Sequence, residues 1–361
     1  MRTAAVIGTG LIGTSVALAL TRRGVRVYLA DRDDDAMRTA ASLGAGEIGA
    51  PAEPVDLAVI AVPPVYVAET LIEAQQRDLA RTYTDVASVK ADPQHAAAAR
   101  GVDQATYIGG HPLAGLERSG PLAGRADLFD GRPWVLTPTA ATGRDALNRA
   151  LELISLCGAV PVVMDAAEHD HAVALVSHTP HLVAALMAAR LQHAPEDAAR
   201  IAGPGVRDVT RVAAGDPRLW EEILTANAAA VADVLEDYAG DLAAVVAALR
   251  ALAAQDSDKR SAGRDDLVDL LRRGNAGQAR IPGKHGAPRA VYASVAVVIS
   301  DAPGELARLF AATGAAGVNI EDLRIEHSPG QAVGLVTLQV APDAADPLAQ
   351  RLTERGWDVQ R

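Results

Sequence analysis

The segment Gly109-Gly110-His111-Pro112-Leu113-Ala114-Gly115-Leu116-Glu117-Arg118-Ser119-Gly120 places an imidazole, a carboxylate and a guanidinium close together along the chain. An imidazole with an ordinary pKa near ~6.5 can take up or release a proton near neutrality. Glycine admits backbone angles that other residues avoid, and proline fixes its own. The composition therefore predicts a shaped loop, neither helix nor strand, built around His111. A glycine-rich turn with a solvent-facing histidine accounts for this segment equally well when it is taken alone.

Other polar groups must stand beside His111 if it is to do chemistry. Thr84-Asp85-Val86-Ala87-Ser88-Val89-Lys90 ends an apolar run, and its Ser88 and Lys90 are candidates to reach the same crevice. Glu168-His169-Asp170-His171 and Ser177-His178-Thr179-Pro180-His181 form the densest histidine region. They read either as locally bonded helix-face histidines or as a polar lining where two domains meet. His178 and His181 are one helical turn apart, but no third metal ligand is fixed, so no metal is expected. In Gly205-Val206-Arg207-Asp208-Val209-Thr210-Arg211 the two arginines share one face of a helix. Either could hold a carboxylate in bidentate fashion or pair with Asp208 or Asp216.

The elements that would position these groups open with Thr3–Ile7, an apolar β-branched run. Gly8-Thr9-Gly10-Leu11-Ile12-Gly13 follows at once, then a helix from Thr14 to Arg23 with Gly24 at its C-cap. A strand, this glycine spacing and a helix form the dinucleotide fingerprint, in which uncapped N–H groups face a pyrophosphate. Asp31 ends the next strand, Val25–Ala30, where a carboxylate bonds both ribose hydroxyls. It would repel a 2′-phosphate, so NAD is expected rather than NADP, with Arg32 beside it. Asp56–Val62 is apolar throughout, as a parallel strand covered on both faces should be. Val62-Pro63-Pro64 then either ends that strand or also walls the nicotinamide side.

Further strands are expected at Thr82–Val86, Thr106–Gly109, Trp134–Thr137 and Val160–Met164. Strands alternating with helices imply a doubly wound α/β domain over residues 1–165. From 166 to 255 helical periodicity takes over, which predicts an all-helical domain whose surplus apolar face meets a second copy as a homodimer. Residues 256–289 read as a polar linker with one short helix at Asp265–Arg273. The last unit, 290–361, reads as βαββ: a strand at Val291–Ser300, a helix after Asp301-Ala302-Pro303-Gly304, and strands from Val318-Asn319-Ile320 and at Ala332–Val340.

Composition excludes several classes. The chain has 361 residues, enough for more than one core, and 49% hydrophobic residues. A formal charge of −11 argues against nucleic acid as a partner. Cys157 is the only cysteine and sits in an apolar run, so it reads as a buried small hydrophobe in a chain without internal disulfides. With no signal peptide and no uninterrupted apolar run of membrane-spanning length, the expectation is a cytoplasmic protein with no membrane partner.

In combination the motifs resemble the TyrA family of prephenate and arogenate dehydrogenases. The resemblance rests on Gly8–Ser15, Asp85–Lys90, Gly110–Gly115, Glu117–Gly120, Ser177–His181, Gly205–Arg211, and Asp216-Pro217 with Trp220. Asp301-x-Pro303-Gly304-x-Leu306 with Gly317-Val318-Asn319-Ile320 looks like an ACT domain, an amino-acid-binding regulatory module. The resemblance implies a Rossmann-type domain, a helical domain and a small α+β domain. It also implies oxidative decarboxylation of a cyclohexadienol by NAD. Under it His111 accepts a hydrogen bond from the ring hydroxyl, and Ser88 bonds that hydroxyl or orients His111. Arg211 holds a substrate carboxylate, with His169, His178, His181, Glu117 and Lys90 around the pocket. The cofactor would lie on Gly8, Thr9, Gly10, Leu11, Ile12, Gly13, Asp31, Arg32, Val62 and Pro63. Tyrosine would act as effector at Asp301, Gly304, Asn319 and Ile320. Leu116 stands where many relatives carry a small hydroxyl residue. The product is 4-hydroxyphenylpyruvate from prephenate, or tyrosine from arogenate.

Two other readings compete. A β-hydroxyacid or 6-phosphogluconate-like dehydrogenase would rely on a lysine in its helices, and residues 166–250 contain none. A non-catalytic sensor of NAD or an amino acid would form no NADH.

Overall fold

The computed structural model describes residues 1–115, 118–281, 291–327 and 333–360. The chain divides into two compact units, Met1–Ala244 and Val245–Arg361.

The first unit is built on an eight-stranded sheet. Its elements begin β1 (Thr3–Ile7), α1 (Leu11–Arg22), β2 (Arg26–Ala30), α2 (Asp34–Ser42), β3 (Glu47–Ile48), β4 (Leu57–Ile60) and α3 (Val67–Gln76). They continue β5 (Tyr83–Asp85), α4 (Ala91–Ala99), β6 (Tyr107–Pro112), β7 (Pro133–Thr137), α5 (Arg144–Leu156) and β8 (Val160–Val163). The strand order is β3-β2-β1-β4-β5-β6-β7-β8. The first six are parallel in the dinucleotide-binding order, with the chain switching direction between β1 and β4. β7 returns antiparallel to β6, and β8 runs parallel to β7.

Alternation builds a core on each face of the sheet. Ala4, Val6, Leu57 and Val59 pack with α1 and α5 residues, including Val16, Leu20 and Leu153. Ala5, Ala58 and Ile60 pack on the other face with Leu71, Tyr83 and Tyr107. Each fully buried Leu or Ile contributes about 1.5–3 kcal/mol, so these two layers hold the strand ends in place. Cys157 is buried beside this core, and burial pushes its thiol up to about 12, which leaves it inert.

Helices complete the unit: α6 (Ala166–Val173), a π-helical turn at Ala174–His178, α7 (Thr179–Leu191), α8 (Glu196–Arg200), α9 (Pro204–Thr210), α10 (Pro217–Ala226) and α11 (Ala228–Leu252). The last turns of α11 belong to the second unit. The continuous stretch Ala166–Leu191 is long and apolar enough to cross a membrane by length and composition. Its polar side chains are nevertheless bonded inside the unit: Asp170 accepts from the backbone of Lys90 and Ala91, and His178 meets Asn227.

In the second unit, residues 257–279 form one helix, α12 (Ser257–Ala279), where a polar linker with a short helix at Asp265–Arg273 was expected. Asp256 caps it by accepting from the backbone N–H of Asp258 and Lys259. Gly263 lets it close on α11, since a Cβ there would lie 2.6 Å from the Ala248 carbonyl oxygen. Next come β9 (Ala293–Ser300), α13 (Glu305–Ala315), β10 (Asp322–His327), β11 (Val333–Val340), α14 (Pro342–Glu354) and β12 (Asp358–Gln360). This is βαββαβ, a helix and a strand more than the pattern read from sequence, with antiparallel order β10-β11-β9-β12. The third strand begins at Asp322, later than Val318-Asn319-Ile320 suggested.

The residues expected to gather an effector do not meet within this unit. Asp301 and Gly304 follow the Ser300 end of β9, which pairs with Val333. Asn319 and Ile320 precede Asp322, which pairs with Gln339 beside Ser294 at the other end. The reason is α13, which carries the chain back along the length of the sheet before β10 begins.

Candidate active site

At the switch point each glycine after β1 has its own spatial reason. Gly8 has φ +101°, and a Cβ on it would sit 2.2 Å from the Ala61 carbonyl oxygen. A Cβ on Gly13 would sit 1.9 Å from the Gly8 carbonyl oxygen, so α1 rests directly on the turn. Gly10 has nothing within 4 Å of a built Cβ, which leaves its face open. Gly10 also caps α1 without any side-chain bond, so the first-turn N–H groups remain available to an anion. Leu11 opens the helix, and Ile12 packs on the core beneath. Gly13→Ala is expected to cost about 1–3 kcal/mol through overpacking against backbone and to abolish measurable NAD binding by calorimetry.

Asp31 closes the nucleotide end. Thr9 donates to one of its oxygens through both its backbone N–H and its hydroxyl, and the Asp33 N–H donates to the other. Burial pushes the Asp31 carboxyl up, but these bonds outweigh it and the net direction is down, so the group is held ionised. The Arg32 guanidinium lies 5.0 Å over the Tyr66 ring. Val62 packs on the second core, and Pro63 leads into a short 3₁₀ turn, Pro64–Tyr66. An ionised carboxylate at the end of β2, an uncapped helix and an open glycine face together fit a dinucleotide.

His111 lies in β6, not in a loop, and pairs with Val135 of β7. The glycines before it serve close packing: a Cβ on Gly109 would be 2.5 Å from the Thr137 hydroxyl, and one on Gly110 would be 2.7 Å from the Asp85 carbonyl oxygen. Among the described residues of this segment, only Gly120 has a positive φ, at +85°. Leu116 and Glu117 lie outside the described residues.

His111 Nδ1 is 2.8 Å from His169 Nε2, and the two rings meet edge to face. His169 Nδ1 is in turn 2.7 Å from Asp170 Oδ1. That carboxylate also accepts from the Lys90 N–H at 2.8 Å and the Ala91 N–H at 2.9 Å. Burial lowers the His111 pKa well below its ordinary value, and His169, Lys90 and His178 add to the effect. The imidazole is therefore neutral near pH 7. Burial raises Asp170, but the bonds from His169, Ala91 and Lys90 carry it below the ordinary value, so it is ionised.

Lys90, expected to line the substrate pocket, is wholly buried. Its ammonium donates to Asp85 and, at 2.6 Å, to the Gly110 carbonyl oxygen next to His111. Tyr107 donates to the other Asp85 oxygen at 2.7 Å. An ammonium in this sheet has no route to solvent, so it completes the strand packing.

Ser88 is partly buried, and its hydroxyl makes no hydrogen bond among the described residues; the side chain bonded to His111 is His169. His178 is buried, with Nδ1 3.2 Å from the Asn227 amide, and burial pushes its pKa down to about 4. His181 stacks on Trp220 with ring centroids 3.6 Å apart. Arg211 is exposed in a 3₁₀ turn, Arg211–Ala214, with no ion pair among the described residues. Asp170 and Asn227 were missed as functional residues. The Glu-His-Asp-His run was the only signal for Asp170, and nothing local marks Asn227.

Residues 16–163 match the prephenate dehydrogenase nucleotide-binding domain, and residues 165–272 match the prephenate dehydrogenase dimerization domain. The probable prephenate dehydrogenase NovF of Streptomyces niveus is 45% identical over 99% of this chain and 99% of its own. A crystal structure of Aquifex aeolicus prephenate dehydrogenase with hydroxyphenyl propionate and NAD+ is similar at TM-score 0.65 and 26% identity, over 77% of this chain and 97% of that one. The Synechocystis arogenate dehydrogenase structure is similar at TM-score 0.65 and 27% identity, over 77% of this chain and 99% of that one.

Proposed function

The chain belongs to the prephenate dehydrogenase family, and on that premise we propose that it oxidises and decarboxylates prephenate to 4-hydroxyphenylpyruvate with NAD, on the route to tyrosine. The observation that carries this reading is His111 near the end of β6, with its Nδ1 2.8 Å from His169 Nε2.

The nicotinamide, when bound, supplies the acceptor for the hydride that leaves the hydroxyl-bearing ring carbon. Gly8–Gly13 and Asp31 hold the dinucleotide, with Arg32, Val62 and Pro63 beside it. His111 receives the hydroxyl proton as that oxygen gains carbonyl character, and Ser88 bonds the same hydroxyl. The ring carboxylate leaves as CO₂, its bonding pair enters the ring, and the ring becomes aromatic. The product is a phenol, so the proton returns from His111 and none is released overall. Aromatisation drives the step, and the protein's task is chiefly to place the groups.

Arg211 holds a substrate carboxylate, and His181 and His178 line the approach. Arg211→Ala is expected to raise KM for prephenate at least tenfold with kcat changed less, in steady-state assays; an unchanged KM would remove Arg211 from this role.

The reading extends to a cytoplasmic homodimer and to a C-terminal ACT-like unit that senses tyrosine. Exposed Val176, Leu186 and Leu242 support a second copy as cover for the helical domain. The βαββαβ order supports the ACT-like unit, although an effector pocket from Asp301, Gly304, Asn319 and Ile320 would need two copies.

Absorbance at the NADH band, with prephenate or arogenate and with NAD or NADP, tests the proposal. NADH from prephenate supports it, and NADH from arogenate alone moves the substrate. No NADH with either substrate overturns it. Added tyrosine that leaves the rate unchanged removes the feedback.

A further inference from the structure

Resting on the reading of His111 as proton acceptor, we propose that Asp170 and His169 are positioning residues that fix the tautomer of His111. They hold its hydrogen on Nδ1 and leave the Nε2 lone pair facing the ring hydroxyl. An ionised Asp170 can only accept, so His169 Nδ1 carries the hydrogen of their 2.7 Å bond. Under the proposal His169 Nε2 is bare, to accept from His111 Nδ1 across their 2.8 Å contact. A neutral His111 has only Nε2 left as acceptor.

The same pair serves the moment of reaction. When the hydroxyl O–H bond breaks and the Nε2–H bond forms, His111 becomes an imidazolium whose Nδ1–H already points at a lone pair. Asp170 is the one carboxylate bonded along this line. The proton goes back to the phenolic oxygen once the ring is aromatic, so the chain need not pass it on. Its work is to hold orientation and charge.

Asp170 is itself well anchored. It bonds the backbone of Lys90 and Ala91 at the start of α4, and Asn227 donates to its carbonyl oxygen at 2.8 Å. The other ionisable groups around His111 are His178, from the π turn, and the Lys90 ammonium, already bonded to Asp85. Neither is hydrogen-bonded to the His111 ring.

The test uses the full-length protein and three variants, His169→Leu, His169→Gln and Asp170→Asn. Nitrogen-15 NMR of labelled histidine reads the tautomer without any substrate. The wild type is expected to show His111 protonated at Nδ1 and bare at Nε2, and His169→Leu to show a mixture. In steady state His169→Leu should lose about 10- to 100-fold in kcat, part of the ~10²–10⁴ a general base contributes, with KM and NAD affinity nearly unchanged. His169→Gln, whose amide oxygen can accept from Nδ1–H, should recover most of that loss. Asp170→Asn keeps the bond to His169 through its amide oxygen but removes the charge that favours imidazolium. Its acidic limb of kcat/KM should move down by about one pH unit as kcat falls.

A wild-type His111 with hydrogen on Nε2, as a protonated His169 would impose, overturns the proposal. So does wild-type kcat in His169→Leu, or a pH profile unmoved in Asp170→Asn. If His169→Leu does not fold, the wild-type spectrum, the Gln variant and the Asn variant still decide. Failure of the wild type to form NADH would instead sink the functional reading, leaving the tautomer measurement standing as a separate result.

Discussion

His111→Asn is expected to lower kcat by about 10²–10⁴-fold while leaving NAD affinity close to that of the wild type. Asparagine can still hydrogen-bond the ring hydroxyl, but it cannot take up a proton at neutral pH. The dinucleotide contacts come from the β1–α1 turn and the end of β2, so cofactor binding is separable. Steady-state kinetics with calorimetric titration of NAD checks both halves. Full turnover in this variant would end the assignment. The pH dependence follows from the same site. Burial holds the His111 pKa well below 6.5, so the imidazole stays neutral on the acid side of neutrality. The acidic limb of kcat/KM should therefore lie below pH 6.5, with activity falling only once protonation catches the buried ring.

Lys90→Met is expected to destabilise the first unit by about 3–5 kcal/mol. The side chain is of similar length, so the loss is electrical more than steric. Asp85 would remain wholly buried without its cation, retaining only the Tyr107 hydroxyl and the Ala87 N–H. The Gly110 carbonyl oxygen, next to His111, would lose the ammonium bond as well. Urea midpoints should fall sharply for Lys90→Met and recover substantially in the double variant Lys90→Met with Asp85→Asn, which removes the stranded charge. Equal midpoints for single variant and wild type would show that this ion pair does not hold the sheet edge.

Much of this molecule was readable without coordinates. In the first unit the Thr3–Ile7 strand matches to the residue, and the other strands match within one or two residues except β6 and the short β3. Hydrophobic runs of strand length bounded by turn residues are a local property, and so is a glycine spacing that only one backbone path satisfies. The approach to Asp31 was equally plain, since a carboxylate ending the second strand must stand at the crevice. In the second unit the helix Ser257–Ala279 was hidden by its polarity, because low apolar content conceals a periodicity that a cap and a packed glycine nonetheless support.

The residue types at the candidate site were determined by the sequence: one histidine at a strand end, a histidine-rich helix start, and a lysine after β5. Which of them touch was decided by tertiary structure alone. His111 and His169 are far apart in the chain, and their 2.8 Å contact exists because α6 packs against α4 and against β7, the neighbour of β6. Gly109 and Gly110 looked like turn residues because glycine permits a turn. Their real constraint is a neighbour a side chain would strike, and only the packed strands supply that neighbour. Lys90 points inward for a comparable reason. Asp85, five residues earlier, compensates its desolvation, and its second acceptor, the Gly110 carbonyl oxygen, is supplied only because β6 lies beside β5.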